Sequence, residues 1–179
     1  ENAMVTAADY DALAKAVKSG GLIKLGADVD ARAPLTFGGD AHLDLAGKTL
    51  NNTSDIWGDN AWSLLSAQNG VDVVIDGNGT VKAKKDDCYA VDVQDGSAVT
   101  IKSGTFVGNV HAVYVYEGTA IIEGGTYSVQ QKYPDASKAD EFVLNCYDSS
   151  YKNGTAKIVI KGGTFINFNP ADCQAEGAH

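Results

Sequence analysis

Residues 118–127 read Gly118-Thr119-Ala120-Ile121-Ile122-Glu123-Gly124-Gly125-Thr126-Tyr127, a short apolar run, a glycine pair, then threonine and an aromatic residue. Short apolar runs punctuated by glycine mark strands joined by tight turns. The closing phrase recurs as Gly79-Thr80-Val81, Gly104-Thr105-Phe106 and Gly163-Thr164-Phe165, with a weaker copy at Lys48-Thr49-Leu50. From Thr49 onward the threonines are 31, 25, 21 and 38 residues apart. A repeat of varying length suits a solenoid whose loops grow outward while its strands stay in register.

A second set of columns runs through the same rows. Trp62, Tyr89, His111 and Phe142 align; two residues later stand Leu64, Val91, Val113 and Leu144, and two further Ser66, Val93, Val115 and Cys146. Alternate residues of a strand share a face, so this set is expected to face one side. Two residues before the aromatic column stand Asn60, Asp87, Asn109 and Asp140. Asn and Asp tolerate left-handed backbone and bond their own main chain, so this column is expected to be a side-chain ladder at a bend.

Each row reads as strand, turn, strand, glycine-rich turn, strand; Ala90–Val93, Val99–Lys102 and Thr105–Val107 are one example. The predicted fold is all-β, a right-handed parallel β-helix of about five or six rungs with three short strands each, stacked at about 4.8 Å. Before it, Thr6 with Asp9 resembles a capping box, and Tyr10, Leu13, Ala14 and Val17 keep helical spacing up to Gly20-Gly21. That helix is expected to cap the N-terminal edge of the coil. The boundaries are residues 1–5 as a disordered leader or one left over from expression, 6–20 as the capping helix, 21–169 as the β-helix, and 170–179 as a polar tail at a truncation point.

Composition narrows the function. The chain has 179 residues, 44% of them hydrophobic, enough for one domain with a real core. Its 14 basic and 23 acidic side chains give a net charge of −9, which repels phosphate backbones and anionic lipid. Nucleic acid and membrane are therefore not expected partners. No apolar run reaches membrane-spanning length and no signal-like segment opens the chain. Three cysteines, Cys88, Cys146 and Cys173, are too few and unpaired in number for a disulfide framework.

The repeats, with the stretch from Ile160 to Asp172, resemble the pectin-lyase-like parallel β-helix superfamily over about Gly21 to Asn169. Within it the chain is most similar to non-enzymatic segments of phage virion fibres and gut-bacterial surface proteins. The resemblance implies a structural or recognition module at the cell exterior or virion surface, and, from phage fibres, a homotrimer or continuation into a larger chain.

The superfamily also contains polysaccharide-cleaving enzymes. Asp86-Asp87-Cys88 followed by His111 resembles a polygalacturonase site, where one carboxylic acid protonates the leaving oxygen and another activates water. Against that, Asp87 belongs to the expected ladder and His111 to a column of packing aromatics. The enzymes' Asn-Thr-Asp and Arg-Ile-Lys strands are absent. A pectate-lyase reading needs carboxylate-held calcium and an arginine base, and the one arginine, Arg32, lies in the first rung. No catalytic residue, metal ligand set or cofactor is assigned; Asp86, Asp87 and His111 are the enzymatic alternative.

The candidate binding surface is different. If Val113 and Val115 point inward, Tyr114 and Tyr116 point outward, beside Asp92 and Gln94 on one rung and Asn145 and Tyr147 on the next. Tyr133 and Tyr151 lie nearby in sequence. Tyrosines with amide and carboxylate neighbours on a rigid sheet suit sugars or a partner subunit. The expected function is non-catalytic recognition through Asp92, Tyr114, Tyr116, Asn145 and Tyr147.

Overall fold

The computed structural model describes residues 3–58, 61–85, 88–132 and 142–173. Its strands form three sheets whose neighbours are all parallel. Sheet A contains β1 (Val5–Ala7), β2 (Gly21–Leu25), β5 (Ala41–Asp44), β8 (Asp72–Asp76), β11 (Ser97–Ile101), β14 (Gly118–Ile122) and β17 (Ala156–Ile160). Sheet B contains β3 (Val29–Asp30), β6 (Thr49–Asn51), β9 (Thr80–Lys82), β12 (Thr105–Gly108), β15 (Thr126–Val129) and β18 (Thr164–Phe165). Sheet C contains β4 (Leu35–Phe37), β7 (Ser63–Ala67), β10 (Tyr89–Val93), β13 (His111–Val115) and β16 (Leu144–Cys146). From β2 onward the chain visits A, B and C in turn, so each circuit is one rung and each lateral neighbour is one rung away. This is the parallel β-helix that the repeat predicts.

Register stacks like on like. Ile23, Leu43, Ile75, Ile101 and Ile122 pair successively across sheet A and are all buried. The column ends in Val5 and Ile160, which are 45% and 38% exposed. Sheet B explains the glycine–threonine–aromatic phrase. Thr49, Thr80, Thr105, Thr126 and Thr164 form one outward column. The residues after them turn inward, where Phe106, Tyr127 and Phe165 stack at 5.4 and 5.2 Å between ring centroids. Each ring folds back under the glycine two positions earlier. A Cβ at Gly125, where φ is +98°, would sit 3.0 Å from both Tyr127 Oη and the Gly104 carbonyl oxygen. The buried Tyr127 hydroxyl donates to the Gly124 carbonyl at 2.6 Å.

The corners differ in freedom. From A to B the links are residues 26–28, 45–48, 77–79, 102–104, 123–125 and 161–163. From B to C they are 31–34, 52–62, 83–88, 109–110 and 130–143. Length variation of the repeat therefore concentrates at the corner that leads into sheet C.

Helix α1 (Tyr10–Ser19) caps the first rung, burying Leu13, Ala16 and Val17. Its N-cap is Asp9, whose carboxylate accepts from the Ala12 N–H at 2.8 Å, and not Thr6 as the capping-box spacing suggested. Thr6 lies in β1, because Val5–Ala7 finds an edge to pair with in β2. Arg32 reaches back to this helix, pairing with Asp11 and lying 4.9 Å over the Tyr10 ring.

Sheet C departs from strict alternation. Leu64 and Leu65, Ala90 and Val91, Ala112 and Val113, and Val143 and Leu144 are consecutive pairs, both members buried. The strand bends there, so two adjacent residues face the core. This corrects the column through β7: Ser63, Leu65 and Ala67 pair with Tyr89, Val91 and Val93, one residue on from the expected Trp62, Leu64 and Ser66. With two leucines side by side, apolar spacing alone could not fix the register.

Candidate functional site on the outer face of sheet C

The double step inward places outward residues three apart. On β10 these are Tyr89 and Asp92; on β13, His111 and Tyr114. Tyr89, His111 and Tyr114 form a cluster of stacked rings with centroids 4.9–5.4 Å apart. His111 therefore faces outward, half-buried, and does not fill the core. Its Nδ1 lies 2.6 Å from the Phe142 carbonyl oxygen, an acceptor, so Nδ1 carries the proton and Nε2 keeps its lone pair. Burial holds the histidine below its usual pKa, with the carbonyl bond working the other way. Burial likewise pushes the Tyr114 phenol up to about 12, helped by the phenols of Tyr89 and Tyr147.

Beside this cluster Tyr116 and Tyr147 stack at 4.8 Å, and they are 46% and 40% exposed. Stacking along the coil turns their faces toward each other. The pair offers a ligand its edges, its phenol oxygens and its two outer faces. Asn145 pairs with Tyr114 one rung along and is half-buried. Tyr151 belongs elsewhere: it packs against the core and helps line a cavity of about 280 Å³ with Leu144, Cys146, Ile158, Ile160 and Pro170. Tyr133 lies outside the described residues.

Asp92 stands in the outward column, between Ser66 and Tyr114 on adjacent rungs, yet only 4% of its surface is exposed. Its Oδ2 accepts from Gln94 Nε2 at 2.6 Å, and the Ser66 and Ser63 side chains lie near enough to oppose part of the effect of burial on the carboxyl group. Gln68 Nε2 in turn donates to Ser66 Oγ at 2.9 Å. Asp92 Oδ1 is buried with no hydrogen-bond partner among the described residues. Burial raises the pKa of the group, and the same-sign charge of Asp95 adds to it. Sequence reading placed Asp92 on an open surface; it missed Ser63, Ser66 and Gln68 because their neighbours in the repeat are unlike them.

Asp86, Asp87, Asn60 and Asp140 lie outside the described residues. Of the expected ladder, Asn109 is described: it is buried, with Nδ2 3.4 Å from Gln131 Oε1 and Oδ1 without a partner among the described residues. Bonds from side chain to backbone across rungs occur elsewhere along the coil, where Asp28, Asp40 and Asn52 accept from the N–H groups of Thr49, Asp72 and Lys84. Among the described residues no group of three His, Cys, Asp or Glu side chains is placed to hold a metal ion. Nor is any described helix long and apolar enough to cross a membrane. An open trough of about 470 Å³ on the outer side of sheet B is lined by glycines and by Ser103, Thr105, Thr126 and Thr164. No family model, curated protein or solved structure matches the chain.

Proposed function

We propose that the chain is a non-catalytic recognition module, part of a phage virion fibre or a bacterial surface protein, that holds a glycan on the outer face of sheet C. The observation that carries this reading is the exposed Tyr116–Tyr147 stack, just past the ends of β13 and β16, next to the Tyr89, His111 and Tyr114 cluster. Tyrosine gives a large amphipathic contact at small entropic cost, because it has few rotatable bonds. Adjacent amides at Gln68, Gln94 and Asn145 supply donors and acceptors for sugar hydroxyls. The resemblance to fibre and surface repeats supports the same reading. A homotrimer or a longer coil would present this face in several copies, which light scattering reads directly.

The test is a glycan-array screen of the purified chain with a reducing-end assay on every hit. Binding without cleavage, lost in Tyr116→Ala and Tyr147→Ala while the fold is kept, is the expected result. A second reading, polysaccharide cleavage through Asp86, Asp87 and His111, draws on the outward, neutral His111 with its open Nε2 lone pair. Release of reducing ends, abolished by Asp87→Asn and by His111→Asn, would replace the first reading with the second.

A further inference from the structure

Asparagine followed by glycine occurs three times, at Asn69-Gly70, Asn78-Gly79 and Asn153-Gly154, and all three asparagines are exposed. In such a pair the backbone nitrogen of the glycine can attack the side-chain amide carbon of the asparagine, because no Cβ on the glycine stands in the way. The attack needs a large rotation of the peptide between the two residues, so the surroundings of each pair decide whether it happens. Asn69 and Asn78 both have left-handed backbone, with φ of +61° and +55°. Asn69 and Gly70 fill the tight turn from β7 to β8, a conformation that suits this pair without strain. The turn is tied to the next rung, where the Asn69 N–H donates to Asp95 Oδ2 at 3.2 Å and the Val71 N–H to Ser97 Oγ at 3.1 Å. Asn78 is held more closely. The Gly77 carbonyl accepts from the Gly47 N–H and the Gly79 carbonyl from the Thr105 N–H, both at 2.8 Å, so its flanks are bonded to the rung before and the rung after. Gly79 is buried, and a Cβ there would collide with the Lys48 carbonyl oxygen.

Asn153 differs from both. It has right-handed backbone, φ −81° and ψ −6°, at the end of the short helix α2 (Asp148–Lys152), in the link from β16 to β17. Lys152 to Thr155 are all exposed, and the Asn153 side chain makes no hydrogen bond among the described residues. A Cβ at Gly154 would meet nothing within 4 Å. The Gly154 N–H is held by one bond, to the Tyr151 carbonyl at 3.1 Å, where a helix of five residues ends. Helix ends fray at little cost. Among the described residues β17 is the edge strand of sheet A, so no further rung clamps this link.

We propose that Asn153 is a site of spontaneous deamidation in the folded chain, and that the coil protects Asn69 and Asn78. The Gly154 nitrogen bonds to Asn153 Cγ and gives up its proton, while the side-chain nitrogen takes one and leaves as ammonia. The product is a cyclic succinimide that joins both residues. Water then opens the ring. Addition at Cγ breaks its bond to nitrogen and leaves aspartate in the ordinary backbone. Addition at the main-chain carbonyl breaks the original peptide bond and leaves isoaspartate, whose chain runs on through the side chain. Either product places a new negative charge at the C-terminal end of α2, the end that disfavours it. Isoaspartate also lengthens the link into β17 by the side-chain carbon. The link 147–155 has room to absorb that carbon, whereas the short turns at 68–71 and 77–79 would pass it on as a shift of the rung.

The experiment is incubation of the whole chain at mildly alkaline pH, folded and in urea, followed by protease digestion and mass mapping of the peptides that carry the three pairs. In the folded chain the Asn153 peptide is expected to gain acid at least about tenfold faster than those of Asn69 and Asn78, whose reaction waits on local opening of a rung. In urea the three rates are expected to converge, because each attack then involves the same unrestrained pair. Asn153→Gln, whose longer side chain closes a larger ring slowly, is expected to remove the fast phase from the folded chain and leave its circular dichroism unchanged. Conversion of Asn69 or Asn78 as fast as Asn153 in the folded chain overturns the proposal. So does an Asn153 peptide that keeps its amide in the folded chain while all three convert in urea, because the link would then be clamped as well as the turns. A fast phase that survives Asn153→Gln places the reaction elsewhere and overturns it too.

Discussion

His111 Nδ1 donates to the carbonyl oxygen of Phe142 across 2.6 Å, joining an outward ring on β13 to the residue that enters the next rung. The bond fixes the tautomer, and burial keeps the ring from charging. The unfolded chain takes up this proton near pH 6.5, whereas the folded ring resists it until lower pH. Stability is thus lost as pH falls below about 6.5. His111→Phe keeps a ring in the cluster and removes the titration. The melting temperature of the variant is expected to fall less than that of the native chain between about pH 7.5 and about pH 5; parallel falls would refute it.

Asp92 titrates in the opposite sense. Its pKa is raised above 3.8 by burial, so its contribution is full below that value and is lost as pH rises through the folded pKa. Asp92→Asn removes a desolvated charge and should stabilise the chain at neutral pH by about 1–2 kcal/mol, with the gain shrinking toward pH 4. Denaturant unfolding at the two pH values reads this. A variant less stable than native at neutral pH would show that the carboxylate is better served than the geometry implies.

Gly125 and Gly154 both have positive φ, +98° and +77°, but only Gly125 is enclosed. Gly154→Ala meets nothing within 4 Å and should cost about 1 kcal/mol of backbone strain. Gly125→Ala adds a clash with the Tyr127 hydroxyl and the Gly104 carbonyl, and should cost about 2–4 kcal/mol. Equal losses by denaturant titration would mean that the aromatic stack gives way easily.

Leu64 and Leu65 are both fully buried. Each leucine-to-alanine change is therefore expected to cost about 2–5 kcal/mol. Strict alternation would let one of the two be nearly silent. Thermal unfolding of the two single variants separates these outcomes.

The same pair shows how far the sequence could be read. The threonine column and its aromatics repeat at one spot per rung, so their strands, their register and the parallel coil were all legible. Sheet C was legible only in part. Its bend makes two neighbours face inward, and apolar residues at both positions hide which one keeps the alternation. Tyr114, Tyr116 and Tyr147 came out as outward from Val113 and Val115 alone. That Asp92 is buried was not legible, because its burial depends on residues brought close by the coil, Ser63 and Ser66 on the previous rung and Gln94 beside it.

Of the coil's three corners, the near-constant links from sheet A to sheet B and the widely varying links from sheet B to sheet C are the two extremes. The first behaves as a hinge pin: its length stays at three or four residues, and at three of the six links a glycine packs against the aromatic ring two residues on. The second behaves as a splice point. At residues 109–110 two residues separate β12 from β13, while six residues (83–88) separate β9 from β10 and fourteen (130–143) separate β15 from β16. A foreign peptide grafted at that corner is thus expected to lie beside the tyrosine face without shifting any pairing in the three sheets, which makes the coil a candidate carrier for inserted sequence.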